Sequence, residues 1–203
     1  MLNIDDIVNA LEDTQQVIHL DRLVRTLHSL NYLQQHDGFK GLLALRVQSR
    51  HILSVANEHG KTFEKILSDC GLGPERVVLH TRLLNAADLP HFYQALTNYR
   101  NRQYLIGISL NDVQEWELLQ QFNLTPDYIF SSAALIKYIE NLPQYQASAT
   151  PILVVDNPES GKFTLNKSIS NVFKGYVKLG THKAQALLEH PQLPTDDSQR
   201  LAS

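Results

Sequence analysis

The sequence predicts an α/β fold built on a mostly parallel sheet, and three observations carry that expectation. Short β-rich runs alternate with amphipathic runs of ten or more residues, the rhythm of βα crossovers. The strand-like runs are apolar almost throughout, as in Gly41 to Val47 and Pro151 to Val155, which suits strands covered on both faces. With 43% hydrophobic and 19% charged residues in 203, the chain has enough apolar material for a packed core. An open doubly wound sheet and a (β/α) barrel both satisfy this pattern, and periodicity does not separate them.

Taken in order, residues 4–12 and 20–34 read as helical. In the second run Leu20, Leu23, Val24, Leu27, Leu30 and Leu33 recur at spacings of three and four, which puts them on one face. Asp37-Gly38 marks a turn, and Gly41 to Val47 is the first strand. A helix over 59–69 turns Phe63, Ile66 and Leu67 inward. Gly71-Leu72-Gly73-Pro74 ends it, because glycine and proline punctuate helix C-termini. Arg76 to His80 is the second strand. Asp88 is placed as N-cap of a helix over 88–100, with Pro90 in its first turn. Tyr104 to Leu110 is the third strand, and a helix over 112–122 carries Val113, Trp116, Leu119 and Phe122. Asp127 to Phe130, Pro151 to Val155 and Phe173 to Leu179 are the fourth, fifth and sixth strands, with a helix over 132–141. One domain is expected over 1–185 and a disordered polar tail over 190–203.

Composition and motifs exclude more than they assign. The net charge of −3 argues against a dominant binder of nucleic-acid polymers. Cys70 stands alone, so there is no internal disulfide framework and no cysteine-rich zinc module, and the thiol is expected to be buried and inert. The N-terminal residues lack a basic region and a signal-peptide core, and no run is long enough to span a membrane, so a cytoplasmic location is expected. No G-x-G-x-x-G follows a strand. Gly161-Lys162 fails as a phosphate loop because Asp156 stands where the first glycine belongs and Phe163 where Ser or Thr belongs. Trp116, on an apolar helix face, is read as core.

Five segments acquire meaning together. Ala10 to Thr14 followed by His19-Leu20-Asp21-Arg22 resembles the "LAEETG…LDRW" entry of EAL domains. Leu45 to Ile52 is similar to that family's "VNLSARHL" and Gly71 to His80 to "GLDPERLVLE". Asp127 to Phe130 resembles "DYLK" and Phe173 to Tyr176 "VQGY". The likeness runs over roughly residues 9–180, with the motifs in the family's order and spacing. It implies an incomplete or modified TIM-like (β/α) barrel in which the first family strand, the one bearing the E-A-L signature, is missing. An uncovered sheet edge would then have to be met by the chain itself, a second copy or another protein.

Active EAL domains hydrolyse cyclic di-GMP with two divalent metals held by carboxylates and an Asn at the strand ends, assisted by a Lys. The resemblance places Arg46 at the Asn position, His80 at the Glu of "LEITE", Ser109 and Leu110 at the paired Asp positions, Phe130 at the Lys, and Asn157 near the late Glu. A guanidinium beside a dication costs several kcal/mol at an effective dielectric of about 20. No metal, cofactor or catalytic residue is therefore expected. The implied function is a catalytically inactive EAL-like domain serving as a protein-interaction or regulatory module, with self-association, including a homodimer, in view. The alternative is a nucleotide or anion sensor using vestigial-pocket residues Arg46, His80, Ser109, Phe130 and Lys174, with Arg82 nearby. An unrelated enzyme on the same scaffold would draw on Asp112, Glu115, Asp156 and His182, which form no readable constellation.

Overall fold

The computed structural model describes residues 7–8, 10–35, 42–55, 60–83, 86–142, 152–157, 162–165 and 187–188. Its elements are α1 (Thr14–Gln35), β1 (Leu42–Arg46), α2 (Ser49–Ser54), α3 (Lys61–Asp69), β2 (Val77–Arg82), α4 (Leu89–Asn101), β3 (Leu105–Ser109), α5 (Val113–Gln121), β4 (Tyr128–Ser131), α6 (Ala133–Glu140), β5 (Ile152–Asn157), β6 (Lys162–Leu165) and β7 (Leu187–Leu188). The strands form one sheet in the order β6-β5-β4-β3-β2-β1-β7. β1 to β5 pair in parallel with sequential neighbours, the pairing that crossover connections permit. Together with their helices these strands form a half-barrel, an incomplete TIM-like barrel.

Both sheet ends carry antiparallel additions. β6 returns against β5 with Asn157 opposite Lys162, and β7 pairs Leu188 and Leu187 with Leu42 and Leu43. Thus the chain itself meets the β1 edge over those two residues. The sequence reading did not anticipate β6 or β7. Turn-forming residues between Asn157 and Lys162 are the signal that marks β6 as the second arm of a hairpin. Lys162 opens a strand, which removes the helix a phosphate loop requires. The expected sixth strand and the polar tail lie outside the described residues.

Register assigns the two sheet faces. Leu43, Leu45, Leu79, Ile106, Ile108 and Ile129 join the helices' Phe63, Leu67, Phe92, Trp116, Leu119 and Ile136 in one core cluster. The opposite face carries Leu42, Ala44, Val78, Tyr128 and Phe130, which are buried as well. Burial on both faces accounts for the unbroken apolar strands. The α3 end also follows its sequence signal. Gly71 has φ +76° and Leu72 N–H donates to the Leu67 carbonyl at 2.9 Å, a closure that a side chain at position 71 would strain. Asp88 occupies the N-cap position of α4 with Pro90 in the first turn, but its side chain makes no capping bond. Trp116 is core, whereas Cys70 is half-buried and so more accessible than expected. Among the described residues no helix is long and apolar enough to cross a membrane.

Of the α1 leucines, Leu23, Leu27 and Leu30 form a face that points outward, whereas Leu33 packs against the core. Leu23, Leu27 and Leu30 are 56%, 49% and 46% exposed, while the inner face holds Val17, Ile18, Asp21, Arg25, Ser29 and Tyr32. The reason is electrostatic. Asp21 Oδ2 accepts from Arg25 Nε at 2.9 Å and Nη2 at 2.6 Å and lies 3.0 Å from His51 Nδ1, while Oδ1 accepts from Gln48 N–H at 2.8 Å. Arg25 also sits 4.4 Å above the Phe63 ring. Burial pushes the Asp21 carboxyl up, but Arg25, His51 and the Gln48 N–H outweigh it and hold it below its ordinary 3.8. Burial also lowers His51 from 6.5, with Asp21 opposing.

Because both groups titrate below their ordinary values when folded, the stability they contribute is full above about pH 6.5 and erodes as pH falls through the folded values. Thermal melts should therefore lose temperature progressively below that pH; a melting point unchanged down to pH 4 would contradict this. Asp21→Asn strands a buried guanidinium and should cost about 3–5 kcal/mol in denaturant unfolding. A cost near zero would show the cluster to be dispensable.

Candidate functional site

The C-terminal ends of parallel strands are where this architecture gathers ligands. Register brings four of the sequence-predicted residues to one face of those ends. Arg46 lies opposite His80, and Ser109 lies between Arg82 and Phe130. The His80 imidazole stacks on the Phe130 ring, with centroids 4.1 Å apart and planes at 29°, and His80 Nε2 hydrogen-bonds Ser109 Oγ. Phe130 is 2% exposed and His80 9%, so the stack closes the floor of the site. Leu110 turns to the helix-covered face and joins the core. Its N–H donates to the Phe130 carbonyl at 2.9 Å, and its own carbonyl accepts from Ser131 Oγ at 2.7 Å. Lys174 lies outside the described residues.

Gly107 makes the stack possible. A Cβ there would meet Phe130 Cε2 at 2.6 Å, so the Phe130 ring lies directly over the β3 backbone. The sequence reading missed this residue, although a lone glycine inside an apolar strand is a signal for close approach of another group. It did place Arg82 near the rim, but missed the Ser49 and Asn111 contacts that hold it there. Arg82, exposed, donates to Asn111 Oδ1 at 3.3 Å, and Ser49 Oγ donates to the Arg82 carbonyl at 3.1 Å. Two residues considered as enzyme raw material have a local task instead. Asp112 Oδ1 accepts from Glu115 N–H at 2.9 Å and so caps α5, while Glu115 accepts from Asn111 N–H at 2.6 Å and Nδ2 at 3.0 Å and so holds the residue before the cap. The Asp156 and His182 side chains lie outside what is described.

As ligands, the strand-end residues offer one imidazole and one hydroxyl, already bonded to each other, beside the guanidiniums of Arg46 and Arg82 and the Phe130 ring. Hard divalent cations need several oxygen ligands, preferably anionic, and this set does not fit a pair of them. Among the described residues no three His, Cys, Asp or Glu come together in a group able to hold a metal.

This half-barrel is similar in fold to part of solved structures that include an EAL domain. The fold is similar to that of BlrP1 from Klebsiella pneumoniae, solved with manganese and cyclic di-GMP, at TM-score 0.59 and 13% identity over 75% of this chain and 41% of that one. The calcium and cyclic di-GMP complex of BlrP1 matches at TM-score 0.55 and 14% identity, covering 74% of this chain and 40% of that one. The Xanthomonas citri FimX EAL domain, solved with cyclic di-GMP, matches at TM-score 0.53 and 17% identity over 76% of this chain and 65% of its own. The chain therefore spans about two fifths of BlrP1 and just under two thirds of the FimX EAL domain. No family model and no curated protein matches the sequence.

Because Phe130 and a side chain at position 107 compete for the same space, Gly107→Ala should destabilise by about 1–3 kcal/mol. Adding Phe130→Leu should recover part of that loss, measured as a double-mutant cycle in denaturant. Strict additivity of the two changes would show that the ring does not bear on position 107.

Proposed function

We propose that this chain is a catalytically inactive EAL-like domain that acts as a cytoplasmic protein-interaction and regulatory module in cyclic di-GMP signalling. The observation that carries the reading is the stack of His80 on Phe130, tied to Ser109, at strand ends where the family's resemblance calls for metal ligands and a lysine. Two-metal hydrolysis of a phosphodiester needs anionic oxygens to hold the ions and to generate the attacking hydroxide. Here an aromatic ring fills part of that space, and Arg46, in register with His80, brings positive charge. What this surface retains is the capacity to be recognised, so partners are proteins, a second copy included, rather than a nucleic-acid polymer or a membrane.

A second reading, a sensor that binds a nucleotide or other anion without turnover, is favoured by one specific feature. Arg46 and the exposed Arg82 both lie on the strand-end face, and guanidinium groups match phosphate geometry. The solved relatives in fold contain cyclic di-GMP, which makes that nucleotide the first to test.

Incubation of the purified chain with cyclic di-GMP and either Mg²⁺ or Mn²⁺, followed by chromatography of the nucleotides, should return the substrate intact. Linear product formed in proportion to protein and abolished by His80→Ala would overturn the inactive reading. Calorimetric titration with cyclic di-GMP separates the other two. The interaction-module reading expects no saturable heat, and saturable binding lost in Arg46→Ala would establish the sensor in its place.

A further inference from the structure

We propose that α1 is a self-association helix, pairing antiparallel with α1 of a second copy along its outward leucine face; this rests on the interaction-module reading and names its surface. The helix carries a seven-residue repeat on two opposite sides. Ile18, Arg25 and Tyr32 recur every seventh residue on the buried side. Opposite them, Gln16, Leu20, Leu23, Leu27, Leu30 and Gln34 follow the alternating four-three spacing of a coiled-coil seam. Leu23, Leu27 and Leu30 are about half exposed, and Gln16 and Gln34 are exposed at the two ends.

Two features select a second copy as the occupant. The seam reads the same in both directions, Gln-Leu-Leu-Leu-Leu-Gln about a centre level with Arg25. A two-fold axis at that level sets Leu23 against the partner's Leu27, Leu20 against the partner's Leu30, and glutamine against glutamine at each end. That is the self-complementarity a closed two-fold interface requires. The accessible flanking positions are His19, Val24, Thr26, Asn31 and Leu33, none of them Lys, Arg, Asp or Glu. A charged partner peptide or an anionic lipid surface would find no complementary charge there, whereas a second copy meets no like-charge repulsion. Antiparallel pairing also opposes the two helix dipoles favourably. One two-helix seam falls at or below about 1,200 Å², the low end for specific interfaces, so the dimer should dissociate on dilution.

Sedimentation velocity of the full chain from about 1 to about 100 µM should show a monomer–dimer equilibrium, and Leu23→Glu with Leu27→Glu should raise its Kd by at least about tenfold. Both sites are exposed, and an unchanged circular dichroism melt verifies folding. Orientation is read by disulfide trapping in a Cys70→Ser background. Thr26→Cys lies near the two-fold and should cross-link to itself, while Gln16→Cys should not. A monomer throughout, a dimer indifferent to the glutamates, or Gln16→Cys cross-linking as well as Thr26→Cys would each overturn the antiparallel seam. A monomer that leaves cyclic di-GMP intact defeats this inference alone; turnover of the nucleotide defeats the parent reading whatever the oligomeric state.

Discussion

Asp21 stands at the contact between α1 and the first βα turn, and its four contacts decide where both lie. Two oxygens buried to 2% side-chain exposure take hydrogen bonds from Arg25 and Gln48 and sit against His51. Charges are tolerated at such depth only when paired and bonded, and removing one partner leaves the others stranded. Gln48 is two residues beyond Arg46, so the same carboxylate that seats α1 also fixes the backbone leaving β1 at the strand-end rim. From there the rim is carried onward by Ser49 bonding to the Arg82 carbonyl and Arg82 to Asn111.

This clamp explains why α1 is inverted relative to its leucines. A helix with Asp21, Arg25 and Ser29 turned inward spends its buried face on polar contacts, and the apolar stripe is left facing out. A large exposed apolar stripe is the informative exception on a protein surface. At the other end of the chemistry, the strand-end floor has the reverse character. The position where the EAL resemblance implies a lysine holds Phe130, over a glycine that admits it and under an imidazole that stacks on it. Both departures are the features on which the proposed interaction-module reading draws.

Much of this was legible in the residues. The parallel strands announced themselves through unbroken apolar runs, because burial on both faces leaves no alternation to confuse the reading. The α3 terminus was marked by Gly71, whose positive φ is a backbone demand visible in sequence. The coming together of Arg46, His80, Ser109 and Phe130 followed from motif order, since parallel strands in sequential register align their C-terminal ends. Other features were not legible. Periodicity shows that Leu23, Leu27 and Leu30 share a face but cannot show which face the domain buries; that was decided by Asp21 meeting His51 and Gln48, contacts distant in sequence. β7 is two residues long and paired across the sheet with β1, too short for any pattern. The role of Gly107 depends on a ring contributed by the neighbouring strand.

The central claim is that these strand ends do not assemble a pair of divalent cations. Crystals of the chain soaked in manganese, with diffraction recorded at the manganese absorption edge, test it directly. The account predicts no anomalous peak within ligand distance of His80 and Ser109, with the His80–Phe130 stack in place. Two peaks about 3.5–4 Å apart at those strand ends, with Phe130 displaced, would contradict it.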